Sequence, residues 1–321
     1  MERTIDVTAL GELLIDFTES GLSPQGNPML EANPGGAPCN LLAMLARLGH
    51  KTAFLGKVGR DAFGDMLRQR VSGVGVDVSG LRVDEDIPTT LAFVHTQPGG
   101  ERDFSFYRKP GADLMLGEDE VDFDKIASSR VFHFGTLSST GEPARSATRA
   151  ALKYAKAHGC LISFDPNLRP PLWDSLDLAR AEIDFGLSQC DVLKISDNEI
   201  QFMTGETDID GGVNKLLQRH PIPLVLATMG PGGSKAFYRG QTVFAPPKLT
   251  EKTIETTGAG DTFGGCALHF VLKYGLDGLN EDRLHELLAF ANAAASLVTT
   301  RKGALCVMPT PEEIRDYMAQ D

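Results

Sequence analysis

The segment Thr256-Thr257-Gly258-Ala259-Gly260-Asp261-Thr262-Phe263-Gly264-Gly265 sets a carboxylate directly behind a glycine-rich turn. Beyond it, Phe263, Ala267, Phe270 and Val271 recur at helical spacing. The glycines therefore stand at a helix start, where unpaired N–H groups and the macrodipole favour negative charge. Asp261 is placed as a base beside an anion site, a combination suited to a phosphoryl group under attack. Two better-known motifs do not fit. A Walker A loop needs Gly and Lys adjacent before Ser or Thr, whereas Gly230 to Lys235 reads Gly-Pro-Gly-Gly-Ser-Lys; a dinucleotide fingerprint from Gly258 needs Gly where Phe263 stands. Alone, the turn is equally compatible with an ordinary start of a helix.

Other polar or glycine-rich clusters follow apolar runs. Gly11-Glu12-Leu13-Leu14-Ile15-Asp16 offers Asp16 as an acceptor of two hydroxyl hydrogen bonds, and Gly35-Gly36-Ala37-Pro38-Cys39-Asn40 lets backbone and Asn40 approach a polyol. Phe164-Asp165-Pro166-Asn167-Leu168-Arg169 supplies a guanidinium for phosphate oxygens. Lys194-Ile195-Ser196-Asp197-Asn198-Glu199 supplies Glu199, able to hold magnesium through water, and Thr228-Met229-Gly230-Pro231-Gly232-Gly233 offers glycines to nucleotide phosphates. Taken singly, Asp16 reads as a turn acid, Asn40 as a helix cap and Arg169 as a surface ion pair. Their recurrence at successive strand ends is what points to a site.

The elements that position them alternate. Candidate strands are Asp6 to Leu10, Thr52 to Gly56, Val131 to Phe134, Cys160 to Phe164, Val192 to Ile195 and Leu224 to Thr228. Helical stripes lie between them: Leu41, Leu42, Leu45 and Leu48 ending at Gly49, and Ala144, Ala147, Ala151 and Ala155 ending at Gly159. This rhythm predicts an α/β fold with a mostly parallel central sheet flanked by helices, in which ligands bind outside the carboxyl ends of the strands. Two stretches break it: Phe17 to Pro34, rich in Gly, Pro and Asn, and Thr89 to Asp113, where Leu91 to Val94 and Phe104 to Tyr107 read as hairpin strands around Pro98-Gly99-Gly100. They predict a small β lid over residues 11–35 and 87–117, leaving a discontinuous core of 1–10, 36–86 and 118–321. Such a sheet needs the core or a second subunit to cover it, so a homodimer through the lid is an expectation.

The chain has 321 residues, 42% apolar and 23% charged, which argues against disorder. Its formal charge of −12 disfavours nucleic acid and anionic membranes as partners and favours a small ligand held by local cations. Met-Glu-Arg-Thr-Ile-Asp lacks a signal pattern, and Asn292 and Ser296 interrupt the most alanine-rich segment, so a cytoplasmic protein is expected. Cys39, Cys160, Cys190, Cys266 and Cys306 are scattered and odd in number, predicting reduced thiols. His133, inside an apolar run, reads as a core histidine.

Together these motifs resemble the ribokinase-like (PfkB) family of carbohydrate kinases, whose two signatures match Gly35-Gly36-Ala37-Pro38-Cys39-Asn40 and Thr257-Gly258-Ala259-Gly260-Asp261. The likeness covers essentially the whole chain. Glu101 to Arg108, Gly111-Ala112-Asp113 and Phe164 to Trp173 are similar to fructokinases within it. The resemblance implies Asp261 as the base, Gly258, Ala259 and Gly260 as its anion hole, and Asp16, Gly35, Gly36 and Asn40 around the sugar. Tyr107, Arg108 and Arg169 are placed near sugar or phosphate, and Lys194 and Glu199 near the triphosphate and its Mg2+. Thr228, Gly230 and Gly233 fall near ATP, and Asn292 by the adenine. It also implies a monovalent cation, usually K+, near Glu255, Thr257, Thr299 and Gly303. Glu255 stands where relatives carry Asp, and Ser196 where the wider family often carries Asn.

The expected function is therefore ATP-dependent phosphorylation of a sugar, fructose to fructose 6-phosphate. The rival within the class is a 2-keto-3-deoxygluconate kinase, because Tyr107 and Arg108 can equally hold a sugar-acid carboxylate. A sugar or nucleotide sensor that has lost transfer is the alternative from another class, and intact Asp261 and Gly258 to Gly260 argue against it.

Overall fold

Strands covered on both faces need apolar side chains at every position, and the runs in the middle of this sequence supply them. The structure, a computed structural model, describes residues 3–96 and 102–320. The expected turn at Pro98-Gly99-Gly100 lies outside the described residues. The strands are β1 (Ile5–Leu10), β2 (Leu14–Leu22), β3 (Pro28–Gly35), β4 (Thr52–Gly59), β5 (Val76–Asp77), β6 (Leu81–Asp84), β7 (Leu91–Thr96), β8 (Arg102–Tyr107), β9 (Ser129–Gly135), β10 (Leu161–Asp165), β11 (Val192–Ser196), β12 (Leu224–Thr228), β13 (Ser234–Tyr238) and β14 (Gln241–Ala245). The α-helices are α1 (Ala37–Arg47), α2 (Ala62–Gly73), α3 (Phe123–Ala127), α4 (Ala144–Ala157), α5 (Leu176–Leu187), α6 (Asp197–Thr204), α7 (Ile209–Arg219), α8 (Ala259–Tyr274), α9 (Glu281–Val298) and α10 (Pro311–Met318).

The central sheet runs β14-β13-β12-β11-β10-β9-β1-β4-β5, with β6 also on β4. From β12 to β5 its pairs are parallel, and β13 and β14 add an antiparallel edge. Alternate residues serve opposite layers, as the period of two requires: Leu224 and Leu226 face the helices α1, α8 and α9, while Val225 and Ala227 face α4 to α7. Gly49 and Gly159 follow α1 and α4 with φ of 88° and 68°, the left-handed conformation that ends a helix at low cost. His133 is buried and bonds the Ser163 hydroxyl at 3.0 Å. All five cysteines are unpaired. Among the described residues no helix is long and apolar enough to cross a membrane.

The segment Phe17 to Pro34 forms long strands in spite of its glycine and proline content. β2 and β3 pair antiparallel, β2 pairs β7 in parallel, and β7 pairs β8, giving a separate sheet ordered β3-β2-β7-β8. Phe17 stacks on Phe93 at 5.0 Å and meets Phe63 of α2 edge-on at 5.6 Å, so the sheet is seated on the core by aromatic contact. The hairpin β13–β14 was absent from the sequence expectation. Its turn, with Arg239 and Gly240 at φ of 50° and 78°, sits between alternating runs and was a readable signal.

One helix contact decides where the site forms. Gly265 of α8 faces α1 so closely that a Cβ there would lie 2.9 Å from Met44 Cβ and 3.0 Å from the Leu41 carbonyl. Only a residue without a side chain permits that approach. The N-terminal turns of α1 and α8 are thereby brought side by side at the carboxyl end of the sheet.

Candidate active site

A cavity of about 710 Å³ opens between the carboxyl ends of the central strands and the small sheet. That size suits a small ligand. Asp261 projects into it from the first turn of α8, three residues after Gly258, whose φ of 79° turns the chain into the helix. A Cβ on Gly258 would overlap Ala304, so this turn too depends on glycine. Gly260 also lines the cavity, and Ala259 lies between them with its N–H turned to the Thr256 carbonyl at 3.3 Å. Asn40 of α1 donates through Nδ2 to Asp261 Oδ2 at 2.8 Å. Its Oδ1 is buried without a partner, leaving an acceptor for a ligand hydroxyl.

Charge around Asp261 is arranged in opposing pairs. Burial pushes its pKa up to about 6, and Asp165 adds to the rise. The Asn40 amide, Lys194 and Arg169 pull the other way without winning. Lys194 pairs with Asp165 at 3.0 Å. Burial alone would lower the Lys194 pKa, but Asp165, Glu199 and Asp261 overcome it and hold the ammonium above its usual value. The ammonium lies below Gly260, where a Cβ would approach it to 2.9 Å, so a cation stands beside the helix start. Arg169 lines the same cavity, half-buried, with Nη1 on the Leu168 carbonyl at 3.2 Å.

Glu199 lines the cavity from α6, where it closes a capping box with Ser196. Its Oε1 accepts from Leu168 N–H at 2.8 Å, and Oε2 accepts from Ser196 N–H at 2.8 Å and the Ser196 hydroxyl at 2.9 Å. Thr228 also lines the cavity. Gly230 and Gly233 lie in the following turn, outside the lining. Asn292 of α9 is tied to that region, its Oδ1 accepting from Ser234 Oγ at 2.9 Å and its Nδ2 donating to the Pro246 carbonyl at 2.9 Å.

On the small-sheet side, Asp16 and Gly36 line the cavity. Gly35 backs Asp16 so closely that a Cβ would overlap its carboxyl group. Tyr107 is 68% exposed and rests on Phe93 rather than on the cavity wall. Arg108 is buried, with Nε and Nη2 on Asp113, Nη1 on Thr140 Oγ1 and Nη2 also on the Leu137 carbonyl. It stands behind the wall, which Leu137 forms.

Of the residues tied to a monovalent ion, Thr257 lines the cavity and Gly303, at φ of 81°, precedes the Ala304 that abuts Gly258. The Thr299 carbonyl accepts from Ile254 N–H at 2.8 Å and Glu255 N–H at 3.0 Å, so both its lone pairs are engaged. The motifs of the sequence assign no role to Glu12 or Asp165. Each is a carboxylate at the end of a strand, the signal already used for Asp16. Glu12 lines the cavity, accepts from Ala37 N–H at 2.8 Å, and is pushed up to about 7 by burial.

A family model described as pfkB family carbohydrate kinase matches residues 4–311. The chain is 40% identical over 314 residues to "Probable fructokinase-2" of Arabidopsis thaliana, covering 97% of this chain and 95% of that protein. Its fold superposes on a fructokinase with bound ATP from Xylella fastidiosa at a TM-score of 0.88, 30% identity and 98% of each chain. A Vibrio cholerae O395 fructokinase in a form with bound fructose, ADP and potassium ion superposes at 0.86, 29% identity, over 99% of this chain and 100% of that one.

Proposed function

The chain belongs to the pfkB family of carbohydrate kinases, and from that premise we infer that it is an ATP-dependent fructokinase making fructose 6-phosphate. The observation that carries the reading is the Asp261 carboxylate at the start of α8, bonded to Asn40 and facing a cavity that also holds Arg169 and Lys194.

Asp16, Gly36 and the unpartnered Asn40 Oδ1 take the sugar hydroxyls, with Gly35 admitting the Asp16 carboxyl. The 6-hydroxyl oxygen attacks the γ-phosphorus in line, and the bond to the departing ADP oxygen breaks. The hydroxyl proton passes to Asp261, whose raised pKa suits it to accept one near neutral pH. N–H groups of Gly258 and Gly260, with Arg169, meet the charge on the equatorial oxygens, a type of stabilisation worth about 10²–10³-fold per donor, and the Ala259 N–H joins them by leaving the Thr256 carbonyl. Lys194 holds the phosphates below Gly260. Thr228, Gly230, Gly233 and Asn292 continue outward from it as the nucleotide side, the Ser234–Asn292 bond joining the turn after β12 to α9.

Among the described residues no cluster of three or more His, Cys, Asp or Glu could hold a metal by itself, and both Glu199 oxygens are occupied. That donor set fits a magnesium ion bound mainly by phosphate oxygens and held by Glu199 through water. So held, magnesium would offset charge on the departing phosphates. Glu255, Thr257, Thr299 and Gly303 are the residues proposed to hold potassium, and the Thr299 carbonyl would serve it by giving up one of its two N–H partners, Ile254 or Glu255.

The small sheet is read as a lid that excludes water from transfer. Its exposed Leu22, Met29, Leu30 and Tyr107 favour a second copy through this surface, which light scattering tests directly. A cytoplasmic location belongs to the same reading and is supported by the unpaired cysteines. Because four of the five N–H donors of Arg108 are taken by Asp113, Thr140 and Leu137, and Asp113 already offsets its charge, it is poorly suited to a sugar-acid carboxylate, which favours fructose over 2-keto-3-deoxygluconate. ADP release across fructose, ribose, 2-keto-3-deoxygluconate and nucleosides, with and without potassium, tests the assignment. Fructose-stimulated release supports it, and release with the keto-acid but not fructose overturns it.

A further inference from the structure

Each hairpin of the small sheet is tied by one carboxylate at the root where the chain leaves and rejoins the core. In the second hairpin the chain enters β7 through Thr90 and leaves β8 through Arg108. Thr90 Oγ1 donates to Asp113 Oδ1 at 2.5 Å, and Arg108 Nε and Nη2 donate to Asp113 Oδ2 at 2.9 and 2.6 Å. Ala112 N–H on the Pro88 carbonyl at 2.9 Å closes the same crossing. Gly111 is required there, since a Cβ would overlap the Thr90 hydroxyl.

In the first hairpin, Glu12 sits between β1 and β2 and accepts from Ala37 N–H where the chain returns from β3 into α1. Its carbonyl lies against Gly36, where a Cβ would come within 2.5 Å. The two roots are joined, because Ile15 N–H donates to the Thr90 carbonyl at 3.1 Å. Glu12, Thr90, Arg108 and Asp113 are each no more than 5% exposed. A buried ion pair whose partners are all present is rigid and costly to disturb.

We propose that Asp113 and Glu12 are positioning residues that hold the two lid roots, and that the path Asp113–Thr90–Ile15 fixes the adjoining Asp16 across the cavity from Asp261. The consequence is that a sugar hydroxyl, rather than water, receives the phosphoryl group. This rests on the reading of the small sheet as a lid over a sugar site.

The test is Thr90→Val, which removes the hydroxyl bond and leaves the Arg108–Asp113 pair intact. It avoids the uncompensated buried charge that Asp113→Asn would create. We expect KM for fructose to rise about fivefold, the size of one buried hydrogen bond, with KM for ATP unchanged. ATP hydrolysis without sugar should rise relative to wild type, and Thr90→Ser should restore both readouts. At the other root, Glu12→Ala should reproduce the pattern and Glu12→Gln, which keeps an acceptor for Ala37 N–H, should not. Wild-type values in Thr90→Val overturn the proposal. So does a uniform effect in which both KM values rise together, the outcome of a merely structural role. If the wild-type protein releases no ADP in response to fructose, the kinase reading fails instead, and that control is measured first.

Discussion

At the carboxyl ends of the central strands, Asp261 and Glu12 are held where burial outweighs every favourable partner, and their pKa values rise to about 6 and about 7. At the opposite end, Asp6 and Asp77 also feel burial, but their partners win. Asp6 meets Lys51 N–H, Arg130 and His50, Asp77 meets Lys125 and Ser79, and both carboxyls end below their ordinary value. The sheet thus carries carboxylates of two kinds. Those at the far end are stabilised as anions and help the fold. Asp261 and Glu12 resist ionisation, and for Asp261 that resistance is the proton affinity a base requires.

The two ends of the sheet differ most at Asp261. Asp261→Ala should lower turnover by about 10²–10⁴-fold while leaving ATP affinity near wild type, as steady-state kinetics and nucleotide titration would read. A smaller loss, about 10–100-fold, is expected for Gly265→Ala, which must push α8 from α1 and separate Asp261 from Asn40. Partial rescue by Met44→Gly, which removes the Cβ that the new methyl would strike, would tie that loss to helix spacing.

Stability should move in opposite directions at the two ends. Asp261 has a folded pKa raised from 3.8 to about 6, so the neutral form's contribution is complete below 3.8 and lost as pH rises through about 6. At pH 7 the ionised group costs on the order of 2–3 kcal/mol, and Asp261→Asn should melt higher than wild type. Asp6 has a lowered folded pKa, so its contribution is present at neutral pH and is lost as pH falls below the ordinary carboxylate range. Partly exposed and screened, it is worth less than about 1 kcal/mol. Asp6→Asn should therefore melt slightly lower at pH 7 and keep full turnover.

Much of this was legible in the chain because it is local. Apolar runs gave β1, β4 and β9 to β12, and the glycine turn followed by helical spacing gave α8 with Asp261 in its first turn. What stayed hidden depends on distant packing. Asn40 and Asp261 bond across 221 positions, and no local pattern announces that Gly265 admits α1 closely enough to allow it. Arg108 looked free to bind substrate because its neutraliser, Asp113, is recruited only by the fold of the lid root. Glu12, in the connection after β1, and Asp16, inside β2, carry the same kind of signal, and the burial that separates them is not legible in the sequence. A β lid is expected over 11–35, but the bounds of its strands there are not legible, because the prolines that β3 tolerates as an edge strand interrupt the alternation.

The most direct measurement is the titration of the Asp261 carboxyl by carbon-13 NMR, assigned by its loss in Asp261→Asn, in the protein free of nucleotide. A midpoint near 6 is predicted, with the acid limb of kcat/KM for fructose phosphorylation falling in the same range. A midpoint at or below 3.8 would show an ordinary surface-like acid and would contradict the assignment of Asp261 as the tuned base.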